Sequence, residues 1–465
     1  MVAAASAQSP RYDLVATLDA AAGKVQNLAF SPDGSMLVSG DRDGNIMLWS
    51  VEDRTLIRAW KGHEAIVVDF AFNGFGTKLA TSSTDGSAKV WDVFTGELLG
   101  TYFNKQTTVA GDDAGWAVSF AVFSHDGRFL YFGGDGATLF RAKLGKDREG
   151  RTFPEEAIYT YSLSTFEKDK KQRITGGELL PSGQAIVCTI GYYAKVIQLA
   201  DGAELQSMYY SPEALNDVVL GPQAGQVATW SYDGRVTIWN IGTGDRAAEF
   251  AAGDLMEICS PAFSPDRKLM ATAAHGHEAH IWDLATRRQV ATLMGHSAIV
   301  RIAKFSPAAN LVATASYDGT VKLWQGPEME IPASVPASDD MSAYNGDTTL
   351  NPEDLELPIL MFDQSDYRLR KASSIALYRV AAIMKRHPDL AIVVEGHTDN
   401  VGNPYKNLNL SRLRAVVVQN FLIEQGIDEA RVKIAAVGSD RPVFLNTSEA
   451  SKSRNRRVEL QFARL

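Results

Sequence analysis

The residues best placed for chemistry lie in the last quarter of the chain. Residues 396–415 read GHTDNVGNPYKNLNLSRLRA. Asp399 puts a fixed anion in a loop behind Gly396, His397 and Thr398. Arg414 falls on the helix expected to begin near Leu410, about one turn in. Its planar guanidinium can hold a carboxylate with two parallel bonds. Free N–H groups at that helix start can face the same anion. Such a pair captures a ligand bearing both an ammonium and a carboxylate, or it closes on itself as a salt bridge. His275, His277, Glu278 and His280 form a second cluster, and zinc favours imidazole. These four fall where repeated text elsewhere places a turn and a strand, so no metal site is expected there. The chain has no HExxH, no phosphate-binding glycine loop, no nucleophile elbow and no dinucleotide turn. No carboxylate pair is placed to hydrolyse a glycan. No catalytic residue and no cofactor is therefore expected.

The elements that must carry these residues are announced by repetition. SGDRDGNIMLW (39–49), TSSTDGSAKVW (81–91), TWSYDGRVTIW (229–239) and TASYDGTVKLW (314–324) are versions of one phrase. Weaker versions stand at 131–141, 188–198 and 272–282. The anchors are Trp49, Trp91, Arg141, Ile197, Trp239, Trp282 and Trp324, spaced 42, 50, 56, 42, 43 and 42 residues apart. Upstream of each turn stands another strand–turn–strand phrase, such as LAFSPDGSMLVSG or PAFSPDRKLMATA. A period near 42 with an Asp-Gly turn before an alternating strand predicts four-stranded propeller blades.

This text resembles the WD-repeat family of β-propellers. Two full tetrads of that family can be read, His63, Ser83, Asp85 and Trp91, and His296, Ser316, Asp318 and Trp324. The resemblance makes them structural: Asp accepts from His, and His is bridged through Ser to the indole. Seven anchors imply seven blades over residues 1–325. The strand at 12–18 is expected to close the ring as the outer strand of blade seven, which removes a bare sheet edge. The charged stretch at 142–180 reads as a rim insertion. Residues 326–357 read as an acidic linker containing Pro and Gly.

Residues 358–465 change character. Strand and helix periodicities alternate as β-α-β-α-β-β, an α+β two-layer sandwich with both helices on one sheet face. Together with GIDEARVKIAAVGSDRP (426–442) and NRRVEL (455–460), the 396–415 segment resembles the OmpA family's C-terminal domain. That resemblance implies non-covalent binding of peptidoglycan through the diaminopimelate side chain of its stem peptide. It assigns Asp399 to the ammonium, Arg414 to the carboxylate, and Asn407 and Arg456 to the same groove.

Composition is compatible with this reading. The net charge of −9 divides unevenly, with 17 Lys and Arg against 11 Asp and Glu in residues 358–465. The acidic remainder makes a poor nucleic-acid binder. The two cysteines, Cys188 and Cys259, build no disulfide scaffold. No apolar run is long enough to span a membrane. A wall-binding domain implies the periplasm of a diderm bacterium, and Ala3–Ala7 then reads as the remnant of a removed signal peptide. The expected protein is a non-enzymatic scaffold that grips the wall and presents its propeller to an envelope protein. The alternative is a propeller whose central channel binds a small molecule or glycan, as a sensor or enzyme.

Overall fold

The computed structural model describes residues 11–464 except 20–22, 75, 94, 105–115, 126, 146–154, 161–172, 211–212, 252–258, 274–275, 329–356, 368 and 370. Most of the expected linker, residues 146–154 and 161–172 of the charged stretch, the first ten residues and His275 lie outside the described residues. The chain forms two compact units.

The first unit contains seven four-stranded antiparallel sheets. Blades one to six are consecutive meanders at 25–61, 67–103, 118–160, 174–209, 215–251 and 259–294. Blade seven takes three strands from 300–325 and its fourth from Asp13–Asp19. That strand pairs antiparallel with Thr320–Gln325, Leu14 opposite Trp324 and Asp19 opposite Thr320. Glu155–Thr160 and Ile174–Leu179, inside the stretch read as an insertion, are the outer strand of blade three and the inner strand of blade four.

Alternation along the strands buries one face of each sheet against the next blade. Separate apolar clusters fill the seven seams. Leu28 and Trp49 meet Leu323 between blades one and seven, and Val67 and Trp91 meet Leu48 between blades one and two. The remaining five seams are packed in the same way. The inner strand of every blade carries a register shift near its start. A bulge there re-aims the side chain that follows.

The second unit is a four-stranded sheet with helices. Its elements are β1 (Leu360–Met361), α1 (Lys371–Arg386), β2 (Leu390–His397), α2 (Pro404–Glu424), β3 (Val432–Gly438), α3 (Glu449–Asn455) and β4 (Arg457–Arg464). The strand order is β1-β4-β2-β3, with β2 and β3 parallel. Leu377, Val380 and Met384 of α1 and Val418 and Leu422 of α2 pack on Ile392, Val394 and Phe462 of the sheet. Both long helices therefore serve one core, as the alternation of periodicities predicts. The short α3, capped by Ser448, is an addition to the expected order.

Candidate functional site

Helix α2 starts earlier than its apolar pattern suggests. Asn403 caps it by accepting from the Tyr405 N–H, and Pro404 occupies the first turn. Asn407 therefore lies on the helix and Arg414 well inside it. The sequence signal was present in Asn-Pro, but the apolar stripe begins only near Leu410.

Depth changes what Arg414 does. The residue is fully buried. Its Nε donates to the Asp366 carbonyl at 2.8 Å, Nη1 to that of His397 at 2.9 Å and Nη2 to that of Asp363 at 2.7 Å. The Phe362 ring lies under the guanidinium, 5.2 Å from Cζ. Burial, then the neighbouring Arg456, lowers its pKa to about 10, while Asp399, Asp366 and Asp363 oppose the shift. Arg414 thus ties the chain before α1 to the end of β2, where the loop carrying Asp399 begins.

The charge that meets Asp399 is Arg456. Nη1 of Arg456 donates to Asp399 Oδ2 at 2.9 Å, and Nη2 donates to Glu449 Oε1 at 2.7 Å. Asp399 Oδ1 accepts from the Val401 N–H at 3.1 Å. Asn407 Nδ2 donates to the Asp399 carbonyl at 3.3 Å. The structure therefore gathers Asp399, Asn407 and Arg456 by direct bonds, with Arg414 bonded to the same loop through His397. Asp399 and Arg456 have side chains only 7% and 8% exposed. The Thr398 hydroxyl and Arg456 Nε are buried without hydrogen-bond partners. The site thus offers one carboxylate, two guanidiniums and unused donors beside them.

The blade networks differ from the expected tetrads in one member. His63 Nδ1 lies 2.9 Å from Asp85 Oδ2, and Nε2 lies 2.7 Å from Thr81 Oγ1. Trp91 Nε1 donates to the same Thr81 hydroxyl at 3.0 Å. Ser83 accepts from the Asp85 N–H at 3.0 Å and caps the turn. Blade seven repeats the plan with His296, Asp318, Thr314 and Trp324, and Ser316 caps the turn. Thr81 and Ser83 share a strand face by period two, and the residue farther from the turn meets the indole. The bridge in both blades is therefore Thr81 or Thr314, not Ser83 or Ser316. A hydroxyl ten residues before the Trp recurs in blades one, five and six.

The propeller channel holds a charged set that the sequence reading missed. Asp69, Glu178 and Asp217 come from the inner strands of blades two, four and five. Asn27, Asp69, Asp217 and Lys304 line a cavity of about 390 Å³. Glu178, Arg267 and the same Lys304 line a second of about 300 Å³. Burial raises the pKa of Asp69 to about 6 and of Glu178 to about 7, against a downward pull from Lys304 on both. Burial and then Asp69 push the Asp217 pKa well above its ordinary value of 3.8. Asp217 also explains a glycine, because a Cβ on Gly176 would stand 1.5 Å from Asp217 Oδ1. Asp69 and Asp217 each follow the inner-strand bulge of their blade, and aligning those positions was the signal that could have found them.

His280 stays a strand residue. Its Nδ1 lies 2.9 Å from Gln289 Nε2, and Nε2 lies 3.6 Å from Glu278.

Residues 361–456 match the OmpA family, and residues 12–50, 54–92 and 287–325 match the WD domain, G-beta repeat. The Probable lipoprotein YiaD of Escherichia coli (strain K12) is 36% identical over 104 residues, 22% of this chain and 48% of that protein. Peptidoglycan-binding protein ArfA of Mycobacterium tuberculosis (strain ATCC 25618 / H37Rv) is 33% identical over 129 residues, 28% of this chain and 37% of that protein. The Serine-threonine kinase receptor-associated protein of Gallus gallus is 25% identical over 304 residues, 65% of this chain and 79% of that protein. The chain covers less than two thirds of either bacterial relative.

Proposed function

We propose that this chain, WD repeats joined to an OmpA-family domain, is a non-enzymatic scaffold of the bacterial cell envelope. Its second unit binds peptidoglycan through the diaminopimelate side chain, and its propeller presents a face to an envelope protein. The compartment consistent with that ligand is the periplasm of a diderm bacterium. The observation that carries the reading is the buried Asp399–Arg456 pair beside Asn407 and Arg414, inside the region that matches the OmpA family.

Diaminopimelate presents an ammonium and a carboxylate on one carbon. Asp399 accepts from the ammonium. The carboxylate takes the unused Nε of Arg456 and the N–H groups that Arg414 has left, three of its five being spent on carbonyls. The ligand thus enters between two charges that already face each other, and their desolvation is largely complete before it arrives.

The test is calorimetric titration of the full chain with a diaminopimelate-containing stem peptide, alongside sedimentation with purified sacculi. Each charge-assisted contact contributes about 1.5–3 kcal/mol, so Asp399→Asn should weaken binding about ten- to a hundredfold. Lys406→Ala, an exposed charge on the first turn of α2, should change little. Wild-type protein that leaves sacculi in the supernatant would end the proposed function. Unchanged affinity in folded Asp399→Asn would end the site assignment.

The channel favours a second reading, in which the propeller takes a small molecule or glycan. Its support is the meeting of Asp69, Glu178, Asp217 and Lys304 around two cavities. Thermal-shift screening of small amines and sugars, with Asp217→Asn as control, separates this reading from a pure scaffold.

A further inference from the structure

On the sheet face opposite the helices, period two places Glu395 and His397 side by side on β2. Glu459 of β4 stands directly across from Glu395. Like charges in direct cross-strand register repel. His397 Nε2 lies 3.2 Å from Glu395 Oε1 and 3.9 Å from Glu459 Oε2. One ligand atom from each of the three residues fits within 4.8 Å.

The imidazole is the unexplained part of this group. His397 is 1% exposed, and neither of its ring nitrogens makes a hydrogen bond. Burying an unpaired polar ring is costly, and natural structures do so where something else completes the bond.

We propose that Glu395, His397 and Glu459 form a binding site for one divalent transition-metal ion of the zinc class. Ligand atoms about 2.0–2.2 Å from an ion at tetrahedral angles lie about 3.3–3.6 Å apart, and the His397–Glu395 separation of 3.2 Å and the His397–Glu459 separation of 3.9 Å bracket that range. One imidazole and two carboxylates leave the fourth position open to water. The arginines nearby act as braces on the ligands. Arg457 Nε donates to Glu459 Oε1 at 2.7 Å, leaving Oε2 turned to the imidazole. Arg441 Nη1 lies 3.0 Å from Glu395 Oε1 and 3.4 Å from Oε2. Partners of this kind orient carboxylate ligands at metal sites.

The test uses the full chain, stripped with chelator and titrated with zinc chloride in a calorimeter. Cobalt(II) replaces zinc in a parallel sample, where visible absorption reports coordination. One equivalent should bind. Glu459→Gln keeps size and the acceptor for Arg457 on a side chain 39% exposed, so the fold should survive. It should weaken zinc binding at least tenfold, as should His397→Gln. His280→Gln, in blade six, should leave the affinity unchanged. Failure of the wild type to bind an equivalent, wild-type affinity in folded Glu459→Gln, or loss of binding in His280→Gln would each overturn the site.

Discussion

In blade two, His63 is fully buried, and both ring nitrogens have partners, Asp85 on one side and Thr81 on the other. In the tail domain His397 is almost as deeply buried, yet neither nitrogen makes a hydrogen bond. The groups bonded to His63 are bonded in turn, the indole of Trp91 on Thr81 and Asp85 on Ser87. Around His397 the Thr398 hydroxyl, Arg456 Nε and Arg457 Nη1 are left over. Both regions bury histidine, carboxylate and hydroxyl, so composition does not separate them. Closure does. A network whose groups satisfy one another stabilises the fold and has nothing left for a ligand. A region that keeps unmatched buried donors and acceptors is less stable than it could be, and functional sites are where such costs persist.

Arg414 should give the largest effect, because three of its five N–H groups are spent on holding the fold. Three carbonyls from two chain segments depend on it. Arg414→Ala should lower the stability of the tail domain by about 3–5 kcal/mol, the range for removing one member of a buried charged set. Arg414→Lys keeps the charge but cannot reach three separate carbonyls with a planar fork, so it should recover only part of the loss. Calorimetric melting of the full chain reads this as a shift of the tail transition alone. A tail transition unmoved in Arg414→Ala would show that the three bonds do not hold the loop.

The blade network is sharpened by a smaller pair of changes. Thr81→Val keeps the strand shape but strands both the indole N–H and the imidazole, at about 1–3 kcal/mol. Ser83→Ala removes only a turn cap and should cost about 1 kcal/mol or less. Denaturant melts followed by Trp fluorescence compare them. A larger loss from Ser83→Ala would restore the serine to the bridging place.

What the sequence could say follows from the range of each signal. The seven anchors were legible because an Asp-Gly turn and an alternating strand are local features that recur. The helix α3 was not legible, since EASKSRN has no apolar residue beyond one alanine to give it a stripe. Arg414 was legible as a residue to watch, but spacing cannot say whether a guanidinium faces solvent or carbonyls. Thr81 and Ser83 share a strand face, and only the depth of the indole separates them. The channel acids and the Glu395–Glu459 pairing are harder still. Asp69, Glu178 and Asp217 come from three blades, and alignment of the inner strands brings only Asp69 and Asp217 to one equivalent position. Their meeting is a property of ring closure and strand register, which no local pattern contains.

The channel and the blade networks should also part company in their response to pH. For Asp318, bonds from Thr320, the Ser297 N–H and His296 outweigh burial and lower the folded pKa to about 2, from 3.8. Its stabilising contribution is complete above the unfolded value and is lost as pH falls toward 2. Asp85 shifts the same way, since bonds from His63 and Ser87 outweigh its burial. The channel acids have the opposite sign. Burial raises Asp69 to about 6 and Glu178 to about 7, above their unfolded values of 3.8 and 4.5. Folding therefore favours their protonated forms, and this stability is lost as pH rises from about 4 through 6 and 7 and levels off above. The propeller transition should accordingly climb as pH is lowered from about 7 to about 4, and fall again below about 4. Asp69→Asn should make the upper limb shallower, Glu178 remaining, and leave the lower one in place. Calorimetric melting across this range tests both limbs. An upper limb that is flat in the wild type, or equally steep in folded Asp69→Asn, would show that Asp69 does not strain the channel.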